Sequence, residues 1–590
     1  MFWYTIYTFI FYGVPALVLL PLVTDFLKRS SPLDKLPIYG IPKGPFGRIV
    51  AAYKCFTGAK QLIDEGYKMN TALKGAAFRI PNLFRGSIVL LPSFLIPEVM
   101  DLPENVLSIA EAENDRLATY IMLLNKQVLT DPYHIDAMRT QLGAGSAGYI
   151  EGLEEEIISA FEAEVKNLET RNDRVGGYVS FGSEAVDRIV ARAINRLFLG
   201  ETMCKDEKYI NKMRGVVKTI ALMGSWLAFL PTWVRPAFAP LTTSGLKNYL
   251  DELLLILGPV IEERFALHQR NTVAKSAADK VVEPTDILQA IIQQAWRRED
   301  QTALNVVLRL IHLNLTTLQT TSIAVQNILL NLATRPGGMN NAEPLFFTSQ
   351  LTSEISFVFK HYVSPELSAR NATQSALARS ERLKVRPEST GWSLRTLSHL
   401  TGFDSFIRET LRLDCAPAVA LHRKVVDRQG VTLKNGLYLP YDSNIAFAAD
   451  AIHRNEGGLD AAVFEGFRTA PPAHHLPSPS HTRSLLQSGI EPSPPPMATL
   501  TRDNTIRPLY QANHPFIEGK GTPYITFDAG ATADPARFFK VNLYKLVGKH
   551  LLLNYEVKDF AGGRKENEGR WLMMLPPRGG ASDCCFKRKE

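Results

Sequence analysis

The stretch Phe406-Ile407-Arg408-Glu409-Thr410-Leu411-Arg412-Leu413 decides how the chain is read. Glu409 and Arg412 lie three positions apart, so on a helix they share a face. One such pair is common on solvated helices, and the segments after it give it weight. Leu421-His422-Arg423-Lys424-Val425-Val426 follows closely. Gly430-Val431-Thr432-Leu433 and Gly436-Leu437-Tyr438-Leu439-Pro440 then alternate like the arms of a hairpin. Ala451-Ile452-His453-Arg454 and Phe464-Glu465-Gly466-Phe467-Arg468 complete the run.

Upstream, Ala303 to Ala333 reads as one long apolar helix interrupted by Thr316-Thr317-Leu318-Gln319-Thr320-Thr321-Ser322. A polar cluster inside a buried helix must be satisfied by backbone, water or a ligand. Downstream, Phe527-Asp528-Ala529-Gly530-Ala531-Thr532-Ala533-Asp534-Pro535-Ala536-Arg537-Phe538-Phe539 precedes an apolar helix through Val541, Leu543, Leu546, Val547, Leu551 and Leu552. Leu553 to Val557 reads as a strand.

This ordered set resembles the cytochrome P-450 superfamily, and most of all the fungal microsomal members that oxidise terpenoids and other secondary metabolites. The resemblance runs from the N-terminus to about Pro577. It implies a mainly α fold with minor β, a cytochrome P450-like catalytic domain behind one N-terminal transmembrane helix. It implies that Glu409, Arg412 and Arg468 form a buried charged triad, tolerable only when mutually paired. Arg423 would reach a haem propionate as a charge-assisted donor. Gln319 and Thr320 would be the catalytic pair, ordering a water chain toward iron-bound dioxygen. The bland alternatives are a solvated strand residue for Arg423 and a Ser/Thr-rich kink without chemistry for the helix.

The segment before the last helix matches the family at Phe527, Gly530, Pro535, Arg537, Phe538 and Phe539. Phe527, Gly530 and Arg537 join Arg423 as the haem-binding residues the resemblance implies. The segment departs at Asp528 for Gly, Thr532 for His or Arg, Asp534 for the axial Cys and Ala536 for Gly. Asp534 thus stands at the metal-ligand position. A thiolate is a soft donor whose push favours O–O cleavage, and a carboxylate is harder and donates less. Replacing the two glycines removes backbone freedom beside the porphyrin.

The chain has 590 residues, 45% of them hydrophobic, enough for a sizeable core. A net charge of +7 without a basic, aromatic-laced stripe gives no sign of a nucleic-acid partner. The five cysteines, Cys55, Cys204, Cys415, Cys584 and Cys585, lack zinc-ligand spacing and suit a reducing cytosol.

Met1 to Thr24 carries no charged side chain and is long enough to cross a bilayer, with Lys28 and Arg29 just after it. Residues 1–27 read as a transmembrane anchor and 28–48 as a Pro/Gly hinge. The alternative for the span is a cleaved signal peptide. Residues 49–577 read as the catalytic domain and 578–590 as a loose tail. Within the domain, 336–389 and 469–515 look like atypical insertions: disordered loops or translated intron. Ile220 to Leu241 reads equally as core or as a patch dipping into a membrane interface.

The expected function is haem-dependent hydroxylation of a lipophilic small molecule at the endoplasmic reticulum membrane, catalytic domain in the cytosol. Electrons would come from NADPH through a separate NADPH–cytochrome P450 reductase. Its rivals are a catalytically degenerate relative without the axial cysteine and a membrane-anchored protein that is no enzyme.

Overall fold

Ala303 to Thr334 is apolar on nearly every turn, and it runs unbroken through the middle of the molecule. In a computed structural model the described residues are 32–41, 47–82, 86–143, 148–170, 174–175, 178–228, 230, 232–274, 276, 280–334, 346–364, 391–414, 417–456, 461–470, 524–527, 534–559 and 584–589. They are mainly helical with a minor β portion, as a cytochrome P450-like fold requires. Residues 1–31, which carry the expected anchor, lie outside them. Among the described residues no helix is long and apolar enough to cross a membrane.

The helices used below are α1 (Gly47–Gly66), α2 (Ile109–Leu117), α3 (Tyr133–Gly143), α4 (Tyr149–Thr170), α5 (Ser183–Cys204), α6 (Glu207–Ala228) and α7 (Arg235–Val273). They continue as α8 (Ile287–Arg297), α9 (Ala303–Thr334), α10 (Phe346–Val358), α11 (Thr401–Asp414), α12 (Ala449–Asn455) and α13 (Arg537–Asn554). Their starts follow local chemistry. Ser108 opens α2 by accepting the Glu111 N–H at 3.0 Å, and Asp286 opens α8 by accepting the Gln289 N–H at 2.9 Å.

Polar side chains of α9 tie it to its neighbours. Asn314 accepts from Asn195 of α5 at 3.1 Å, and Tyr209 of α6 donates to Asn195 at 2.6 Å. Asn331 donates to Asp414 at 2.7 Å and to Thr410 at 3.1 Å on α11. These bonds fix the register of helices whose apolar contacts alone would permit sliding.

The larger sheet runs β1 (Phe78–Asn82), β2 (Gly86–Leu91), β9 (Asn444–Phe447), β6 (Ala420–Val425), β3 (Leu107–Ser108) in spatial order. Only the β2–β9 pair is parallel. The expected hairpin forms β7 (Val431–Thr432) and β8 (Tyr438–Leu439). Gly430, at φ 73°, needs its left-handed conformation where the turn enters.

Two expectations are corrected. Within the expected tail, Cys584–Arg588 is strand β11, paired with β10 (Tyr555–Asp559) on one side and β5 (Tyr178–Phe181) on the other, and 578–583 lie outside the described residues. β4 (Arg174–Val175) completes that sheet. Cys585 and Phe586 are buried, and Phe586 meets Phe181 edge-on. Residues 336–389 are not an insertion throughout, because α10 lies among them with Phe347, Leu351 and Ile355 buried. Glu354 of α10 accepts the backbone N–H groups of Gly402 and Phe403 at 2.7 and 3.0 Å, satisfying the start of α11. Residues 365–389 and 471–515 lie outside the described residues.

The span from Ile220 to Leu241 is core only in part. Ile220, Leu227 and Leu230 are core, whereas Leu222, Trp226, Trp233 and Leu241 are exposed.

Candidate functional site

The site is built around the segment that leads from Tyr524 into α13. Two groups of residues hold its two flanks.

On the upstream flank, α11 carries Glu409 and Arg412 on one buried face. Arg412 donates Nε and Nη2 to the two oxygens of Glu409, both at 2.8 Å. Arg468 adds Nε to Glu409 Oε1 at 3.2 Å, and the Glu465 N–H reaches the same oxygen at 2.9 Å. The remaining Arg412 donors go to the carbonyls of His453, Ala461 and Val463. The structure therefore brings the three expected charged residues together, with Arg412 acting as a hub for three backbone carbonyls.

His453 carries this order onward. It is fully buried, and burial lowers its pKa to about 4. Its Nδ1 lies 3.0 Å from the Arg412 carbonyl, and the Ile525 N–H donates to its Nε2 at 3.1 Å. That pattern requires the neutral Nδ1-H tautomer. Tyr524 stacks on the ring at 5.8 Å. His453 thus links the charged cluster to the chain two residues before Phe527. Sequence reading used His453 only as a place-marker. The signal was a histidine between an apolar Ile452 and a charged Arg454 in a helix with a buried face.

On the downstream flank, the Asp534 N–H donates to the Phe527 carbonyl at 2.9 Å. Gly530, expected as haem-binding, lies outside the described residues, with Asp528 and Thr532. Asp534 Oδ1 accepts the Ala536 N–H at 2.8 Å, so the carboxylate sits at the positive end of α13. Asp534 Oδ2 accepts from Lys540 Nζ at 2.6 Å. The same ammonium donates to Thr320 Oγ1 on α9 at 3.1 Å. Arg537 turns back to the Asp534 carbonyl at 3.0 Å, and its guanidinium lies over Phe538. Burial lowers the Arg537 pKa.

Lys540 was absent from the sequence reading. The legible signal was that α13 is apolar on all sides yet carries Lys540, Lys545 and Lys549, all buried. Each finds a carboxylate on a different element: Asp534, Asp404 at 2.7 Å, and Glu154.

The expected catalytic pair is not brought together. Thr320 faces Lys540, and its hydroxyl donates back to the α9 carbonyls of Thr316 and Thr317 at 3.1 and 3.2 Å. Gln319 is rotated away. It lines a cavity of about 190 Å³ with Asp187, Arg214, Lys218 and Leu318. Nor does the Thr cluster break the helix, because Thr316 and Thr320 satisfy themselves on their own backbone. Arg423 is buried on β6, donating to the His422 carbonyl at 2.8 Å and touching the Met100 sulfur at 3.2 Å.

Whether these residues suit a haem is decided at Asp534. One carboxylate oxygen caps a helix start and the other holds an ammonium. That ammonium bridges Asp534 and Thr320. A macrocycle between those two residues would have to displace Lys540 Nζ. As arranged here, the axial position does not fit the group. Cys204 and Cys585 are buried elsewhere, on α5 and β11. Among the described residues no cluster of His, Cys, Asp and Glu could hold a metal ion.

No family model matches the chain. Several curated proteins do. Cytochrome P450 monooxygenase 103 of Postia placenta is 26% identical over 557 residues, 94% of this chain and 93% of that protein. Cytochrome P450 monooxygenase gloP of Glarea lozoyensis is 25% identical, across 94% of this chain and 91% of its own length. Cytochrome P450 monooxygenase avaL of Aspergillus versicolor is 24% identical, across 92% and 90%.

Proposed function

Because the chain belongs to the fungal cytochrome P450 monooxygenase family, a family of oxidoreductases, we propose that it serves the oxidation of a lipophilic small molecule in fungal secondary metabolism. In this reading NADPH–cytochrome P450 reductase is its electron donor and the endoplasmic reticulum membrane its seat, with the catalytic domain cytosolic. The observation that carries the reading is the anchorage of the segment before α13. A Glu409–Arg412–Arg468 cluster and a neutral His453 are committed to placing Ile525. Buried polar groups that fix a short segment suit one that presents a ligand.

Haem would supply dioxygen activation, which thiolate ligation strengthens, but Asp534, held by Ala536 and Lys540, offers no such donor. The chain's own contribution is an enclosed scaffold with Thr316 and Thr320 on the open side of an otherwise buried helix. Exposed Leu222, Trp226, Trp233 and Leu241 at the α6–α7 junction support contact with lipid. A version beginning at Ser30 is expected to leave the carbonate-washed membrane pellet. Full retention there would give the α6–α7 junction, and not the first 27 residues, the anchoring role.

One observation favours a second reading, a family member that has given up oxygen chemistry: Asp534 is spent on a helix start and on Lys540. The test is the reduced-CO spectrum and reductase-dependent NADPH oxidation of a panel of lipophilic compounds. The unmodified chain is compared with Asp534→Cys and with the combined Asp528→Gly, Thr532→His, Asp534→Cys, Ala536→Gly variant. No thiolate-type band is expected from the unmodified chain, and little from Asp534→Cys alone. A thiolate-type band with turnover from the unmodified chain establishes the first reading and removes the second. Absence of haem from every variant would remove the first.

A further inference from the structure

We propose that Lys540 is a built-in occupant of the cofactor site: its ammonium, bridging Thr320 and Asp534, stands where a haem would enter and ties the start of the last helix to the central helix. The inference rests on the family reading for where that space is. It rests on this chain alone for what fills it.

The case begins with a lysine in the wrong solvent. Lys540 is 3% exposed, and an ammonium so far from water persists only with partners on hand. The resemblance assigns its two partners to opposite sides of the cofactor, Asp534 to the ligand position and Thr320 to the dioxygen side. Asp534 lies 2.6 Å away, and Thr320, on α9, lies 3.1 Å away. Neither contact is incidental to its partner. The Thr320 hydroxyl spends its proton on α9 carbonyls, so its oxygen is left as an acceptor aimed at the ammonium. Asp534 divides its oxygens between the Ala536 N–H and Lys540. Asp534, the central helix and the last helix are therefore joined through one nitrogen.

Two consequences separate this clamp from an ordinary ion pair. Removing the ammonium must cost stability, because it unties three elements. Removing it must also open the site, because the space it held becomes free. A residue that is only structural gives the first effect without the second.

The experiment uses the full chain purified without added haem, as wild type, Lys540→Met, Lys540→Gln and Asp534→Asn. Thermal midpoints are recorded first, and haemin is then titrated into each, followed by its absorbance. Lys540→Met is expected to lower the midpoint by roughly 2–4 °C. It should also bind haemin at least about tenfold more tightly than wild type, a shift of about 1.4 kcal/mol. Asp534→Asn should lower the midpoint too, with a smaller gain in affinity, since Lys540 stays in the gap. Lys540→Gln is nearly the same length and neutral, and it supplies the titration if the methionine variant does not fold. The proposal is overturned if wild type takes up one haemin as tightly as the lysine variants. It is equally overturned if the lysine variants lose stability and gain no affinity, which leaves Lys540 a structural ion pair. The family reading stands or falls separately, on the spectrum of the motif-restored variant.

Discussion

The two flanks of the segment before α13 are held by different means. Upstream, Glu409 and Arg412 pair through two bonds of equal length, and nearly every remaining donor reaches a backbone carbonyl. Downstream, one lysine holds one carboxylate, and half of what that carboxylate does is cap a helix. The upstream flank is scaffold in which each charge has its place taken up by backbone. The downstream flank is where a ligand would be presented, and there the chain has substituted an internal bond. The family's frame and the family's chemistry are separable in one molecule, because different residues carry them.

The comparison breaks most visibly at Arg412. Arg412→Ala strands a buried Glu409, and we expect a loss of about 3–5 kcal/mol. The check is protease-resistant yield and a urea midpoint beside wild type. A wild-type midpoint would place the cluster on a solvated face and end the argument for the scaffold.

Acid is the next lever on the same flank. His453 is neutral in the fold, with a pKa near 4 against 6.5 in a free chain. Between those values the unfolded state binds the extra proton, so stability is complete above pH 6.5 and falls as pH drops toward 4. The full loss from this one group is on the order of 3 kcal/mol. Urea midpoints from pH 7 to 4.5 should therefore decline, and His453→Asn should start lower yet decline less steeply. Parallel slopes would show that His453 is not the group responsible. Burial also depresses His422 and His550, so the residual slope in the variant will not be zero.

Asp534→Asn sharpens the other side. It leaves Lys540 without its anion, but Asp534 is 24% exposed, so we expect about 2 kcal/mol, less than a fully buried pair. A cost equal to that of Arg412→Ala would erase the distinction between the flanks. Smallest should be Arg468→Ala, at about 1 kcal/mol. Its 3.2 Å bond to Glu409 supplements the two that Arg412 gives, another bond at 2.8 Å goes to the Val463 carbonyl, and its side chain is 24% exposed.

How far the sequence could be read follows the same division. The Glu409–Arg412 pair was legible because its partners are three positions apart and the helix period brings them together. Arg468 was legible only through the order of motifs. Lys540 was not, because its partners lie 6 and 220 positions away. Three lysines in an apolar helix do not say which carboxylate each will find. His453 needed a contact across 72 positions. Gln319 and Thr320 are neighbours in sequence, but adjacent residues on a helix point about 100° apart, and here Gln319 lines the cavity beside Asp187 while Thr320 meets Lys540. The strand at Cys584–Arg588 was hidden by composition, since its Lys and Arg resemble a solvated end while Cys585 and Phe586 alternate into the core.

That strand also sets a timetable. β5 leaves the ribosome about 400 residues before β11, the neighbour it must pair with. At 5–20 residues per second, its edge waits roughly 20–80 s during synthesis. Throughout that interval Phe181 lacks the aromatic ring that later covers it. A newly made chain therefore carries an exposed, half-built sheet for most of its own translation, and a chaperone that shields strand edges would find its substrate there.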